Sequence, residues 1–190
     1  MKNFKLFSIS MGMMLFFVSC NIEPYEDNEL EANNLKTSID DGCETGFAIC
    51  ATDISTCFLD SGFNRWGWTI GPVSEAGFTH RYEIYAEAGK CDTSKGELAG
   101  KVWLKYQAGV AEVKFEAENG YVLKETHLYI GNDLYPMQQR GKKFVPTVAP
   151  GQYPYKHDNL DDATEDSYTV DGLSSDIYLI AHAVVCKEAQ

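Results

Sequence analysis

The middle of the chain alternates apolar and polar side chains, and this alternation constrains the fold more than any other feature. In Lys101–Gln107 every second residue is Val, Leu or Tyr. In Val110–Ala117 Ala, Val and Phe alternate with Glu and Lys. A period of two is that of a strand with one buried face. Ala108 and Gly109 join the two segments, so the sequence predicts an antiparallel hairpin with one face on a core.

Short strand-like segments recur from Cys43 to the C-terminus. The last of them, Ser175–Lys187, is almost uniformly apolar and rich in β-branched residues, which is typical of a central strand covered on both faces. Prolines and glycines between Pro136 and Pro154 predict a long loop with at most a short edge strand. No helical stripe or internal repeat is present. The chain is therefore predicted to be all-β, an antiparallel β-sandwich or jelly roll of about eight to ten strands.

The first twenty residues have the character of a secretion signal. Lys2 and Lys5 precede an apolar stretch that ends at Ser19 and Cys20. That stretch is roughly 13 residues long, too short for a bilayer-spanning helix of about 20. Its end resembles a bacterial lipobox, in which diacylglycerol is added to the thiol of Cys20. We therefore predict a lipoprotein signal peptide at residues 1–20, with ordinary signal-peptidase cleavage as the alternative.

Two further segments follow the signal. Residues 21–42 are rich in Glu, Asp and Asn and are predicted to form an acidic, disordered tether. Residues 43–190 suffice for a single domain. We expect the protein to cross the inner membrane and to be lipid-anchored, at the outer membrane facing the cell surface. Its net charge of −12 argues against nucleic acid and against docking on anionic lipid.

The chain has six cysteines. If Cys20 carries lipid, five remain in an oxidising compartment, and this odd number predicts two disulfides and one leftover thiol. The spacing of Cys43, Cys50 and Cys57 is not that of a zinc site. The spacing does not decide which cysteines are paired.

Histidines and one glutamate suggest a metal site. Glu125 and His127 share a strand face, and a sheet could bring them together with His157 and His182, as in cupin-like barrels. The HxH spacing of such barrels is absent. The competing interpretation is that His182 is a core histidine and that Glu125 and His127 face solvent.

Acidic residues crowd the segment from Asp158 to Asp166, and Asn132-Asp133 forms a smaller group. Oxygen clusters of this kind in extracellular loops can hold Ca²⁺. EF-hand spacing is absent, and a solvated acidic loop is the competing interpretation. We expect no cofactor, with Ca²⁺ as the one candidate.

Aromatic residues suggest a glycan-binding surface. Trp66 and Trp68 are two residues apart, and Tyr153 and Tyr155 could extend them into a platform for sugar rings. The competing interpretation is that the tryptophans fill the core. Because G-x-S-x-G and H-E-x-x-H are both absent, the sequence does not predict an enzyme.

Several strings together resemble a domain that recurs in secreted and surface proteins of bacteria, an extracellular β-rich domain of uncharacterised activity. These strings are Cys43–Ala48, Thr56–Phe58, Arg65–Trp68, Cys91–Thr93, Glu125–Gly131, Val148–Tyr155 and Ala181–Cys186. They span nearly all of residues 43–186. The resemblance implies an extracellular module used for display, adhesion or binding.

The same resemblance implies that four cysteines are the paired ones, namely Cys43, Cys57, Cys91 and Cys186, and it leaves Cys50 over. The leading hypothesis is a lipid-anchored cell-surface module that binds an extracellular glycan or protein partner. The first alternative is a metal-binding protein or metal-dependent enzyme that uses the His/Glu cluster. The second is a structural accessory subunit of a surface assembly.

Overall fold

The computed structural model describes residues 42–51 and 54–188, which contain twelve β-strands, four short 3₁₀ turns and no α-helix. The strands are β1 (Cys43–Ile49), β2 (Ser55–Cys57), β3 (Trp68–Val73), β4 (His80–Ala86), β5 (Glu97–Gln107), β6 (Val110–Ala117), β7 (Tyr121–Gly131), β8 (Met137–Arg140), β9 (Lys143–Pro146), β10 (Tyr155–His157), β11 (Glu165–Val170) and β12 (Ile177–Lys187). The predicted all-β class is confirmed, with two more strands than the upper end of the expected range.

Ten of these strands form one antiparallel sheet in the order β10-β7-β12-β1-β4-β5-β6-β11, with β3 paired to both β12 and β2. Strand β12 therefore has three partners. Its side chains alternate between two apolar clusters: Leu179 and Ala181 join the larger cluster, and Ile180 joins the smaller one. Apolar residues on both faces are thus explained by burial on both sides, and the arrangement is consistent with a β-sandwich.

The hairpin predicted from the alternating pattern is present as β5 and β6. Gln107 pairs with Val110 across the turn. Ala108 and Gly109 both have positive φ, at 53° and 72°, as a tight two-residue turn requires. A Cβ at Gly109 would lie 2.8 Å from the Leu173 carbonyl oxygen, so glycine is needed there for space as well.

The expectation of at most one short strand between Pro136 and Pro154 is wrong. Strands β8 and β9 pair with each other as a separate two-stranded sheet. Gly141, with a φ of 61°, provides the turn between them. We call residues 137–146 the basic hairpin, because Arg140, Lys142 and Lys143 lie at its tip.

Two disulfides join the four cysteines that the resemblance singled out. Cys43 on β1 bonds to Cys186, its direct register partner on β12. Cys57, at the end of β2, bonds to Cys91. Cys50 lies outside both disulfides and is half-buried.

The predicted signal peptide, the predicted lipidation site Cys20 and residues 21–41 of the predicted tether lie outside the described residues. Within the part of the chain that the structure covers, no helix has the length and apolar character needed to cross a bilayer.

The two disulfides should differ in their contribution to stability. The Cys43–Cys186 bond spans a sequence separation of 143 residues and the Cys57–Cys91 bond one of 34. Loop-closure entropy then gives about 5 kcal/mol for the first bond and about 4 kcal/mol for the second. In urea unfolding, a Cys43→Ala/Cys186→Ala variant should lose more free energy of unfolding than a Cys57→Ala/Cys91→Ala variant. The reverse order would contradict this reasoning.

Candidate functional site

Two buried histidines face each other across the centre of the sheet. His127 on β7 and His182 on β12 are direct register partners, and each is 4% exposed. Their Nδ1 atoms lie 2.9 Å apart, a hydrogen bond in which one ring donates its N–H to the other. Because buried imidazoles need partners, this contact satisfies one nitrogen of each ring.

His182 is held in an aromatic environment that disfavours charge. The Phe47 ring on β1 lies 4.8 Å from it, centroid to centroid. Burial lowers the pKa of His182 well below 6.5, and the electrostatic effects of the His127 ring and of the Arg65 guanidinium lower it further. His182 is therefore neutral at physiological pH.

The other side of the His127 ring meets two carboxylates. His127 Nε2 lies 2.9 Å from Asp158 Oδ1 and 3.9 Å from Glu125 Oε2. These three side chains, which we call the Glu–His–Asp cluster, have donor atoms within 4.8 Å of one another. The sequence placed Asp158 among the calcium candidates and missed its role here. The sequence carries no signal of this role, because it is the pairing of Lys156 with His127 in the structure that brings Asp158 to this point.

The predicted metal quartet of Glu125, His127, His157 and His182 does not converge. His157 pairs in register with Thr126, the residue whose side chain points to the opposite face from Glu125 and His127. Its Nδ1 atom lies 2.9 Å from Asp166 Oδ2 instead. Because neighbouring residues of a strand point to opposite faces of the sheet, His157 lies on the face away from His127 and cannot join the cluster.

His157 belongs to a polar network that ties β7, β10 and β11 together. Its ring stacks on Tyr168 at 4.6 Å, and the Tyr168 hydroxyl donates to the Thr126 carbonyl oxygen at 2.9 Å. Thr126 Oγ1 donates to Asp166. Burial raises the pKa of Tyr168 to about 12, so its hydroxyl stays protonated as a donor. These contacts connect the three strands and stabilise their packing, which is a structural role.

The predicted aromatic platform is not formed. Trp68 and Tyr153 are each 3% exposed and belong to the smaller apolar cluster, and half-buried Trp66 packs edge-on against Trp68. Half-buried Tyr155 packs against the larger cluster, so it does not extend the same surface. These rings fill the core, as the competing interpretation held.

Several carboxylates of the acidic segment have cationic partners. Asp162 lies 2.7 Å from Lys124 Nζ, and Glu165 lies 2.6 Å from Lys114 Nζ. The amide of Asn132 donates to the carbonyl oxygen of Asp176 at 2.9 Å, so it holds a loop. Calcium binding at these residues stays a prediction.

The basic hairpin is the surface feature that the sequence analysis missed. Phe144 is 66% exposed and Met137 is 50% exposed, and cross-strand pairing puts both on one face. No Asp or Glu lies between Asp133 and Asp158, a long gap in so acidic a chain. This gap in negative charge was the signal available in the sequence.

The chain matches no model of a protein family, no curated protein and no solved structure. The resemblance to a recurring extracellular domain therefore stays a prediction, and the functional argument rests on the geometry of the molecule.

Neutral His182 gives a pH-dependent stability. Its folded pKa lies below the value of 6.5 for an unperturbed histidine, so below pH 6.5 the unfolded chain binds a proton that the folded chain does not. The free energy of unfolding should then fall by up to about 1.4 kcal/mol per pH unit as the pH drops. Urea unfolding between pH 7 and pH 5 measures this slope.

A His182→Phe variant should show a shallower slope than the wild type in the same pH range, whatever its stability at pH 7. Phe144→Ala, which removes an exposed ring outside both core clusters, should keep the wild-type slope. Equal slopes for the wild type and His182→Phe would contradict the neutral state of His182.

Proposed function

We propose that the protein is an extracellular binding module that recognises an anionic polysaccharide through the basic hairpin. The observation that carries this proposal is a cationic, partly apolar hairpin exposed on an otherwise acidic protein. In this proposal the signal peptide exports the chain, and lipid on Cys20 anchors it at the cell surface.

The charge of the hairpin suits an anionic ligand. Arg140 and Lys143 are cross-strand neighbours, and Lys142 lies in the turn between them. All three side chains are exposed. Uronate carboxylates and sulfates accept charge-assisted hydrogen bonds from such groups, with Arg able to bind two oxygens at once.

The apolar face of the hairpin has no structural purpose within the described chain. Phe144 and Met137 lie outside both core clusters, and exposed apolar groups of this size commonly mark a binding surface. The base of the hairpin is fixed, because the Thr147 amide donates to the Pro136 carbonyl oxygen at 2.9 Å. The register places Phe144 on one face of the hairpin and Arg140 and Lys143 on the other, with Lys142 in the turn between them. In this proposal the ligand therefore passes over the tip, where a sugar meets the exposed ring with its C–H face and its neighbours along the strand meet the cations with their acidic groups.

A polysaccharide strand fits this surface better than a bilayer or a protein. A stable protein interface involves about 20–30 residues on each partner, more than the ten residues of the hairpin. A broad anionic surface would also approach the acidic remainder of the chain, whose net charge is −12, and would be repelled. A single strand can cross the hairpin while it avoids that acidic surface.

Binding of polygalacturonate to the full-length protein, measured by calorimetry with neutral dextran as the comparison, tests the proposal. Wild-type protein should bind polygalacturonate, lose affinity as salt rises, and not bind dextran. Lys142→Glu/Lys143→Glu should weaken binding at least tenfold, because each reversal removes an attraction and adds a repulsion between the hairpin and the anionic ligand. Phe144→Ala should weaken it several-fold.

Two matched controls lie outside the hairpin. Phe78 is 64% exposed, so Phe78→Ala removes a phenyl ring as exposed as that of Phe144. Lys90→Glu reverses an exposed charge elsewhere. Both variants should bind as the wild type does. Unchanged affinity in the hairpin variants, equal binding to dextran, or binding only to phosphatidylglycerol vesicles would each overturn the proposal.

A further inference from the structure

The Glu–His–Asp cluster brings one imidazole nitrogen and two carboxylate oxygens to a single point at the surface. Its donor atoms come from β7 and from the residue just after β10, and they lie within 4.8 Å of one another. We propose that Glu125, His127 and Asp158 bind a divalent transition-metal ion such as Zn²⁺. This site is separate in chemistry from the cationic hairpin and does not depend on its function.

The imidazole of His127 is oriented as that of a metal ligand. Ligand histidines are held by a hydrogen bond at the ring nitrogen that does not bind the metal. His127 has such a bond, because its Nδ1 lies 2.9 Å from Nδ1 of the buried His182. When His127 donates this N–H to His182, its Nε2 lone pair points at the two carboxylates. Three acceptors then converge, and a cation is the species that satisfies them.

The metal-free protein can use the opposite tautomers. His127 then carries its proton on Nε2 and donates it to Asp158 Oδ1, 2.9 Å away, while His182 donates its own N–H to Nδ1 of His127. When a cation replaces the proton at His127 Nε2, each ring moves its proton to its other nitrogen. Both rings stay neutral, and no proton is lost. The histidine pair thus keeps its Nδ1–Nδ1 hydrogen bond in both states.

The distances are close to those that coordination requires. Donor atoms at 2.0–2.2 Å from a tetrahedral Zn²⁺ are about 3.3 Å apart. The distances from His127 Nε2, 2.9 Å to Asp158 and 3.9 Å to Glu125, lie on either side of this value. The side chain of Asp158 is 57% exposed and that of Glu125 is 36% exposed, so both carboxylates have room to move to the coordination distance. Mixed nitrogen and oxygen donors favour a transition metal over Ca²⁺, whose sites are built from oxygen.

The local charge also favours a cation. Glu125 and Asp158 place two carboxylates beside one imidazole ring. The nearby cation Lys156 lies 3.7 Å from Asp158 Oδ2, the oxygen that does not contact His127. Asp158 Oδ1 is therefore left for the cluster.

The test is calorimetric titration of the EDTA-stripped, untagged full-length protein with ZnCl₂, with bound metal counted by equilibrium dialysis. We expect one Zn²⁺ per chain. Glu125→Gln and Asp158→Asn should each weaken binding by at least about tenfold, since the loss of outer-shell partners alone costs 10–100-fold. Both residues are partly or fully exposed, and unchanged thermal unfolding of the variants would show that the fold is intact.

Two control variants sharpen the result. Asp161→Asn changes an exposed carboxylate of the same acidic segment, and His157→Gln changes the histidine on the opposite face. Both should bind Zn²⁺ as the wild type does. The absence of saturable binding, equal affinity in wild type, Glu125→Gln and Asp158→Asn, or loss of binding in His157→Gln would each overturn the proposal.

Discussion

The three-way pairing of β12 is the constraint on which the rest of the structure depends. This strand pairs with β1, β3 and β7, and its alternate residues enter both apolar clusters. A slip of one residue would exchange its two faces, so Leu179 and Ile180 could not both keep their clusters. Cys186 strengthens this arrangement, because its disulfide closes the β1–β12 register at the end of the strand.

The same register creates the candidate site. It places His182 against the Nδ1 side of the His127 ring, and β10 places Asp158 against the Nε2 side. Two imidazoles in an apolar cluster would be costly if either lacked a partner, and their mutual hydrogen bond removes that cost. The buried pair thus fixes the ring that faces Glu125 and Asp158 at the surface. The basic hairpin, a separate sheet, is independent of this arrangement.

The alternation of apolar and polar residues correctly predicted the strands whose position is decided by burial of one or both faces. Lys101–Ala117 formed the expected hairpin, and the apolar last strand became central for the expected reason. The sequence did not reveal which strands are neighbours, and pairing of β7 with both β12 and β10 decides that His182 and Asp158, not His157, meet His127. The β8–β9 hairpin was missed because it has little apolar alternation to mark it; it is held by a turn at Gly141 and by pairing of the two strands.

Strand β12 holds a neutral His182 against His127, so that His127 can present Nε2 to two carboxylates. Ring ¹⁵N chemical shifts of the two histidines, followed by NMR from pH 8 to pH 5 in metal-free protein, test it most directly. His182 should keep one protonated nitrogen throughout this range, with the chemical shifts of a neutral imidazole. A His182 ring that becomes doubly protonated around pH 6.5 would contradict it.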